Sequence, residues 1–208
     1  MKNIKVISHP LIEHKLSFLR DKNTDPFQFR LLVDEITYLM LFEACSDFEL
    51  KDITIKTPIC ETKSKKLKTK VTICPILRAA LGMLDGVFRL IPDASVGFLG
   101  FQRNEKTLQA EFYYSKLPKD VEKNVVIIID PMFATGSTAI SAVKHLKEQG
   151  VKDIKFISLI AAPQGLEKFS KIYPDVDVYL AAIDEKLNEK GYIVPGLGDA
   201  GDRIFNTL

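Results

Sequence analysis

Apolar positions in the second half of the chain fall into two alternating patterns. Val125–Ile129 is five consecutive β-branched residues, the pattern of a strand covered on both faces. After a short loop, Ala139, Ala142, Val143 and Leu146 recur at helical spacing. They predict a helix over about 138–149, with Gly150 at its stop. Ile154–Ala161 predicts the next buried strand, a short helix follows near Leu166, and 176–182 predicts a third strand. This βαβαβ order implies an α/β fold, a parallel sheet with helices on both faces, and ligands bind such sheets at the carboxyl ends of their strands. In the first half, Phe29, Leu32, Val33, Ile36, Leu39 and Met40 mark a helix. Residues 54–60 and 71–75 read as short strands, 83–91 as a helix and 95–101 as a strand. The stretch 102–118 is polar apart from Phe112, Tyr113 and Tyr114.

Composition narrows the class. The 208 residues suit one domain spanning 1–208, and no repeat or linker divides them. At 46% hydrophobic and 27% charged, the balance is that of a globular protein. No apolar stretch approaches the roughly 20 residues needed to cross a membrane. The first eight residues lack a signal-peptide core, so a cytoplasmic protein without membrane partners is expected. A net charge of +2 predicts no general affinity for nucleic acid. The lysines at 63, 65, 66, 68 and 70 lie between strand-like stretches and read as a solvated hairpin tip. Cys45, Cys60 and Cys74 form no disulfide framework, and His9, His14 and His145 are too scattered for a metal site.

The chemistry concentrates after the apolar run, in Asp130-Pro131-Met132-Phe133-Ala134-Thr135-Gly136-Ser137-Thr138. A buried strand ends in a carboxylate, and a loop of small and hydroxylated residues opens a helix. Unpaired N–H groups and the helix dipole favour an anion there. Thr135, Ser137 and Thr138 add hydroxyl donors, Gly136 admits close approach, and Asp130 can accept from sugar hydroxyls. The pattern fits a monophosphate cradle; a plain turn capped by Thr or Ser is the alternative. No lysine follows Gly136, which excludes a Walker-type loop. Near the end, Gly196, Gly198 and Gly201 match GxGxxG, but only seven residues follow Gly201, too few for the βαβ unit that fingerprint requires.

The strand–Asp130–loop unit resembles the phosphoribosyl pyrophosphate motif of type I phosphoribosyltransferases, with Asp130-Pro131 in place of the usual acidic pair. Asp-Pro-Met here is the form of the uracil phosphoribosyltransferase family. The stretch His9-Pro10-Leu11-Ile12 with His14-Lys15-Leu16 resembles that family's start. Pro75-Ile76-Leu77-Arg78-Ala79 resembles its pyrophosphate loop, and 184–205 its uracil-binding segment. The resemblance implies a type I phosphoribosyltransferase core under a small hood of N- and C-terminal segments. It implies transfer of ribose 5-phosphate from phosphoribosyl pyrophosphate to uracil, with Mg2+ carried mainly by the donor's phosphates. Residues 130–138, Arg78, Arg103 and Asp199 would bind the donor, and Arg78, Arg103, Asp130 and Asp199 would act in catalysis. Ile193, Gly198, Asp199 and Ala200 would contact uracil. Tyr192 either walls the base pocket at C5 or packs over the sheet. Arg103, opening the polar stretch, would close as a lid, and Asp202 either serves the site or pairs with Arg203. The family also brings homodimers or higher homo-oligomers, and GTP as an effector of some members. The chain departs from the family pattern at Ser46, Ala80, Ser137 and Asn206. A transferase for another base and a ligand-sensing RNA-binding regulator are the rival readings.

Overall fold

The computed structural model describes residues 1–103 and 110–207. In chain order the strands are β1 (Ile4–Val6), β2 (Leu50–Lys56), β3 (Glu61–Leu67), β4 (Val71–Leu77), β5 (Ser95–Val96), β6 (Phe98–Arg103), β7 (Ala110–Lys116), β8 (Val125–Ile129), β9 (Met132–Phe133), β10 (Ile154–Ala161), β11 (Asp177–Ile183), β12 (Lys186–Leu187) and β13 (Ile193–Val194). The helices are α1 (Pro10–Arg20), α2 (Pro26–Ala44), α3 (Leu84–Leu90), α4 (Ser137–Glu148), α5 (Pro163–Ile172) and α6 (Ala200–Phe205).

The central sheet runs β1-β11-β10-β8-β4-β6-β7 and is parallel except for the β6–β7 pair. The strands expected to be buried are covered on both faces. Ile127 and Ile129 join a core under α1, α2, α3 and α6, whereas Val126 and Ile128 join a core under α4 and α5. Phe133, Phe156 and Phe169 meet edge to face in the second core. β4 ends before Arg78, β8 before Asp130 and β11 before Asp184, so these three charged residues lie at the carboxyl ends of parallel strands, at one end of the sheet.

Three expectations change. The lysines are not a hairpin tip: Lys63, Lys65 and Lys66 lie along β3 itself, paired with β2, and the turn is at residues 57–60. Both faces of this hairpin are largely exposed, so it carries no period-two signal from which its register could be read. The polar stretch contains β7, an edge strand whose Phe112, Tyr113 and Tyr114 stay about half exposed. β1 and α1 precede the first element expected; β1 is a three-residue edge strand with two exposed positions, too short to show alternation. Among the described residues, no helix is long and apolar enough to cross a membrane.

Candidate active site

The loop after β8 is built by two backbone constraints. Asp130 N–H donates to Ile157 O at 3.1 Å, and Pro131 O accepts from Leu159 and Ile160 N–H, which keeps the chain against β10 as it leaves β8. Gly136 then turns at φ +75°, and a Cβ there would lie 2.7 Å from Gly165 O. A Cβ on Gly165 would meet Ala134 O at 2.1 Å. The loop therefore packs backbone to backbone on the first turn of α5, and both glycines are needed for the approach. Thr135 Oγ1 lies 3.2 Å from Ser137 Oγ and accepts from Ser137 N–H at 3.4 Å, which ties the two hydroxyl residues together at the start of α4. Asp130, 132–139, Ala110 and Phe156 surround one small cavity at the start of α4.

A second cavity, of about 200 Å³, opens beside it. Its walls are Asp130, Met132 and Ala134 on one side and Ala79, 191–193 and 198–201 on the other. Tyr192, Ile193, Gly198, Asp199 and Ala200 are thus brought together around one cavity. Tyr192 is 45% exposed and lines this cavity, so it is not packed over the sheet. Asp199 caps α6: its Oδ1 accepts from Asp202 N–H at 3.0 Å.

Asp130 and its neighbours Met132 and Ala134 border both cavities. Burial pushes the Asp130 carboxyl up to about 7, opposed by a hydrogen bond from Met132 N–H at 3.4 Å. At neutral pH it is divided between its acid and carboxylate forms. Arg78 follows β4 at the start of a 3-10 turn over Ala79–Met83, exposed, with Ala79 in the wall of the second cavity. The side chain of Arg103 and residues 104–109 lie outside the described residues, and the lid expectation falls there.

A family model for uracil phosphoribosyltransferase matches residues 6–207. The chain belongs to the uracil phosphoribosyltransferase family. It is 74% identical over 208 residues to a uracil phosphoribosyltransferase of Campylobacter fetus and 52% identical to one of Staphylococcus aureus, covering all of each. Among solved structures it matches the AQ2163 protein of Aquifex aeolicus at 40% identity, with TM-score 0.92 over 97% of each chain. A Bacillus anthracis hypoxanthine-guanine phosphoribosyltransferase shares the fold at 16% identity and TM-score 0.52, covering 75% of this chain and 79% of that one.

Two departures from the family pattern have a visible setting. Asn206 adopts φ +56° at the end of α6, a left-handed cap that asparagine tolerates best after glycine. Ala80 is fully buried in the 3-10 turn after Arg78. Ser46 is exposed after α2, and nothing in the structure explains it. The pairing of Asp202 with Arg203 does not form. Asp202 accepts from Thr207, whereas Arg203 donates to Leu19, Asp21 and Leu197 carbonyls and stacks over the Phe29 ring. Adjacent helical residues point away from each other, so sequence adjacency misled here.

Gly165 was not among the residues expected to matter. Its signal was present: a glycine in the first turn of a helix is costly, which hints at a close backbone approach.

Proposed function

We propose that the two cavities hold the two halves of a phosphoribosyl transfer, and that the protein joins uracil to ribose 5-phosphate, releasing pyrophosphate. The observation that carries this is the shared floor: Asp130, Met132 and Ala134 border both cavities, so donor and base meet above one carboxylate. The 5-phosphate lies in the loop 134–138, held by N–H groups at the start of α4 and by hydroxyls. Pro131, Met132 and Phe133 lead the chain into that loop. Asp130 accepts from the ribose hydroxyls and fixes C1 toward the base. Uracil lies between Tyr192–Ile193 and Gly198–Ala200, where backbone N–H and C=O groups read its edge.

Arg78 and Arg103 stabilise the charge that builds on pyrophosphate as the C1–O bond breaks. Among the described residues no three Asp, Glu, His or Cys side chains form a metal cage. A magnesium ion would be brought in on the donor's phosphates, with Asp199 beside it. Such an ion neutralises leaving-group charge. The test is pyrophosphate release with magnesium, the donor and a panel of bases. Uracil is expected to turn over, adenine, guanine and hypoxanthine hardly at all, and chelation of magnesium to stop the reaction. Faster turnover of any purine would overturn the assignment.

Tyr192 supports a further reading of selectivity: its ring forms the wall facing C5 of the pyrimidine. A thymine methyl then overpacks the pocket, at about 1–3 kcal/mol. Tyr192→Ala is expected to raise the specificity constant for thymine relative to uracil by about tenfold. An unchanged ratio would move the selectivity elsewhere.

Assembly is read from α2. Phe27, Leu31, Tyr38 and Phe42 form one exposed apolar stripe on this helix, and Phe27 and Phe42 are 69% and 67% exposed. Contiguous patches of this kind mark interfaces, and a two-stranded hairpin such as β2–β3 is marginal without support. A homo-oligomer is the expected form. Phe27→Glu with Phe42→Glu should shift the mass measured by light scattering toward the 23.4 kDa monomer.

A further inference from the structure

The His9-Pro10 start and the helix it opens have no part in the two cavities. His9 Nδ1 accepts from Leu11 N–H at 3.2 Å and Pro10 supplies the first helical residue, so α1 begins at a defined point and carries Arg20 in its last turn. Arg20 grips Asp184 with both arms of its guanidinium, at 2.8 Å to Oδ2 and 2.5 Å to Oδ1. The same Arg20 donates to Gly196 O at 2.7 Å, and Gly196 N–H donates to Asp184 Oδ2 at 2.8 Å. The residue Gly196 is therefore held from both ends, its N–H by the carboxylate and its C=O by the guanidinium.

Gly196 turns at φ +68°, and a Cβ there would lie 2.2 Å from Ile193 O. Ile193 precedes this turn, and Gly198, Asp199 and Ala200 follow it; all four line the second cavity. The clamp thus holds the turn that joins the two segments, 191–193 and 198–201, that form one wall of this cavity. Asp184 is buried, so the ion pair is little screened, and removing one partner leaves an uncompensated charge. Bidentate geometry makes the pair directional as well.

We propose that Arg20 is a positioning residue for the base, acting through Asp184 and the Gly196 turn, with α1 as the strut that carries it. The proposal rests on placing uracil in the second cavity. Arg20 touches neither cavity, so its effect falls on the base side and leaves the phosphate loop, built on β8, β10 and α5, in place.

Arg20→Met, Arg20→Lys and Asp184→Asn test this through steady-state constants for each substrate. Arg20→Met is expected to raise the KM for uracil at least tenfold with the donor's KM within twofold of wild type. Arg20→Lys, which keeps the charge but not the fork, is expected to recover part of the loss. If Arg20→Met cannot be isolated folded, the same split is read on the other two variants, which keep most of the side-chain volume. A uracil KM within twofold of wild type overturns the proposal, and so does an equal rise in both KM values, which would make the clamp merely structural. Ala200→Leu, filling the cavity, is the control. If it leaves the uracil KM unchanged, the placement of the base falls, and the proposal with it. If it raises that KM while the clamp variants do not, only the role of Arg20 falls.

Discussion

Asp130→Asn is expected to lower the rate while making the free protein more stable above neutral pH. In the folded chain, burial raises this carboxyl to about 7, whereas in the unfolded chain it titrates at about 3.9. Between those values the folded form holds the extra proton, so the group's contribution to stability falls as pH rises from about 4 to 7. Above 7 the protein carries a partly buried, poorly solvated carboxylate that, among the described residues, accepts one long hydrogen bond, from Met132 N–H. Asparagine removes that penalty, which at about 1.4 kcal/mol for each of roughly three pH units comes to about 4 kcal/mol, or roughly 8–16 °C in melting temperature for a chain of this size. At pH 4, where Asp130 is already neutral in the folded state, the two proteins should melt together. Catalysis moves the other way. Hydrogen bonds to a charged acceptor contribute about 1.5–3 kcal/mol each, so losing the charge beside the ribose hydroxyls should lower kcat/KM for the donor by about 10²-fold. In the wild type that constant should climb through a limb near pH 7 as the carboxylate forms, and the limb should be absent in the variant. Wild-type kinetics, or equal melting temperatures at pH 8, would return Asp130 to a turn residue.

Arg78→Ala carries the other large effect. Arg78 is exposed at the end of β4, next to Ala79 in the wall of the base cavity. In the proposed reaction it meets the leaving pyrophosphate. Deleting one donor aimed at developing charge costs about 10²–10³ in turnover. The melting temperature should hardly move, because an exposed substitution outside the core usually changes stability by less than about 0.5 kcal/mol. Arg78→Lys should fall between the two, keeping the charge without the planar fork. Turnover measured by pyrophosphate release tests this, and an unchanged rate would make Arg78 a surface charge.

The unit from β8 through α4 to β10 was legible in the chain almost residue by residue. Val125–Ile129 and Ile154–Ala161 are the observed strands, and α4 begins one residue before its expected start. These strands are covered on both faces, so their apolar runs are unbroken, and the loop between them is local, so its glycine and hydroxyls can be read in order. The arm β2–β3 and the edge strand β7 were misread or missed because solvent reaches them and little burial imprints a period. Asp130 was recognisable as a carboxylate at a strand end, but not as a group lifted to about 7, since burial belongs to the assembled fold.

By itself the sequence determined the fold class, the strand–loop–helix unit around Asp130 and the family to which the chain belongs, because each is written in residues close together in the chain. Tertiary structure alone decided which carboxylate is shared by both cavities, that Gly165 must admit Ala134 O, and that Arg203 holds α1's end rather than Asp202. It alone paired Arg20 with Asp184, 164 positions apart. Contacts at that separation leave no spacing in the chain: they arise only when the fold brings the end of α1 against the carboxyl end of β11.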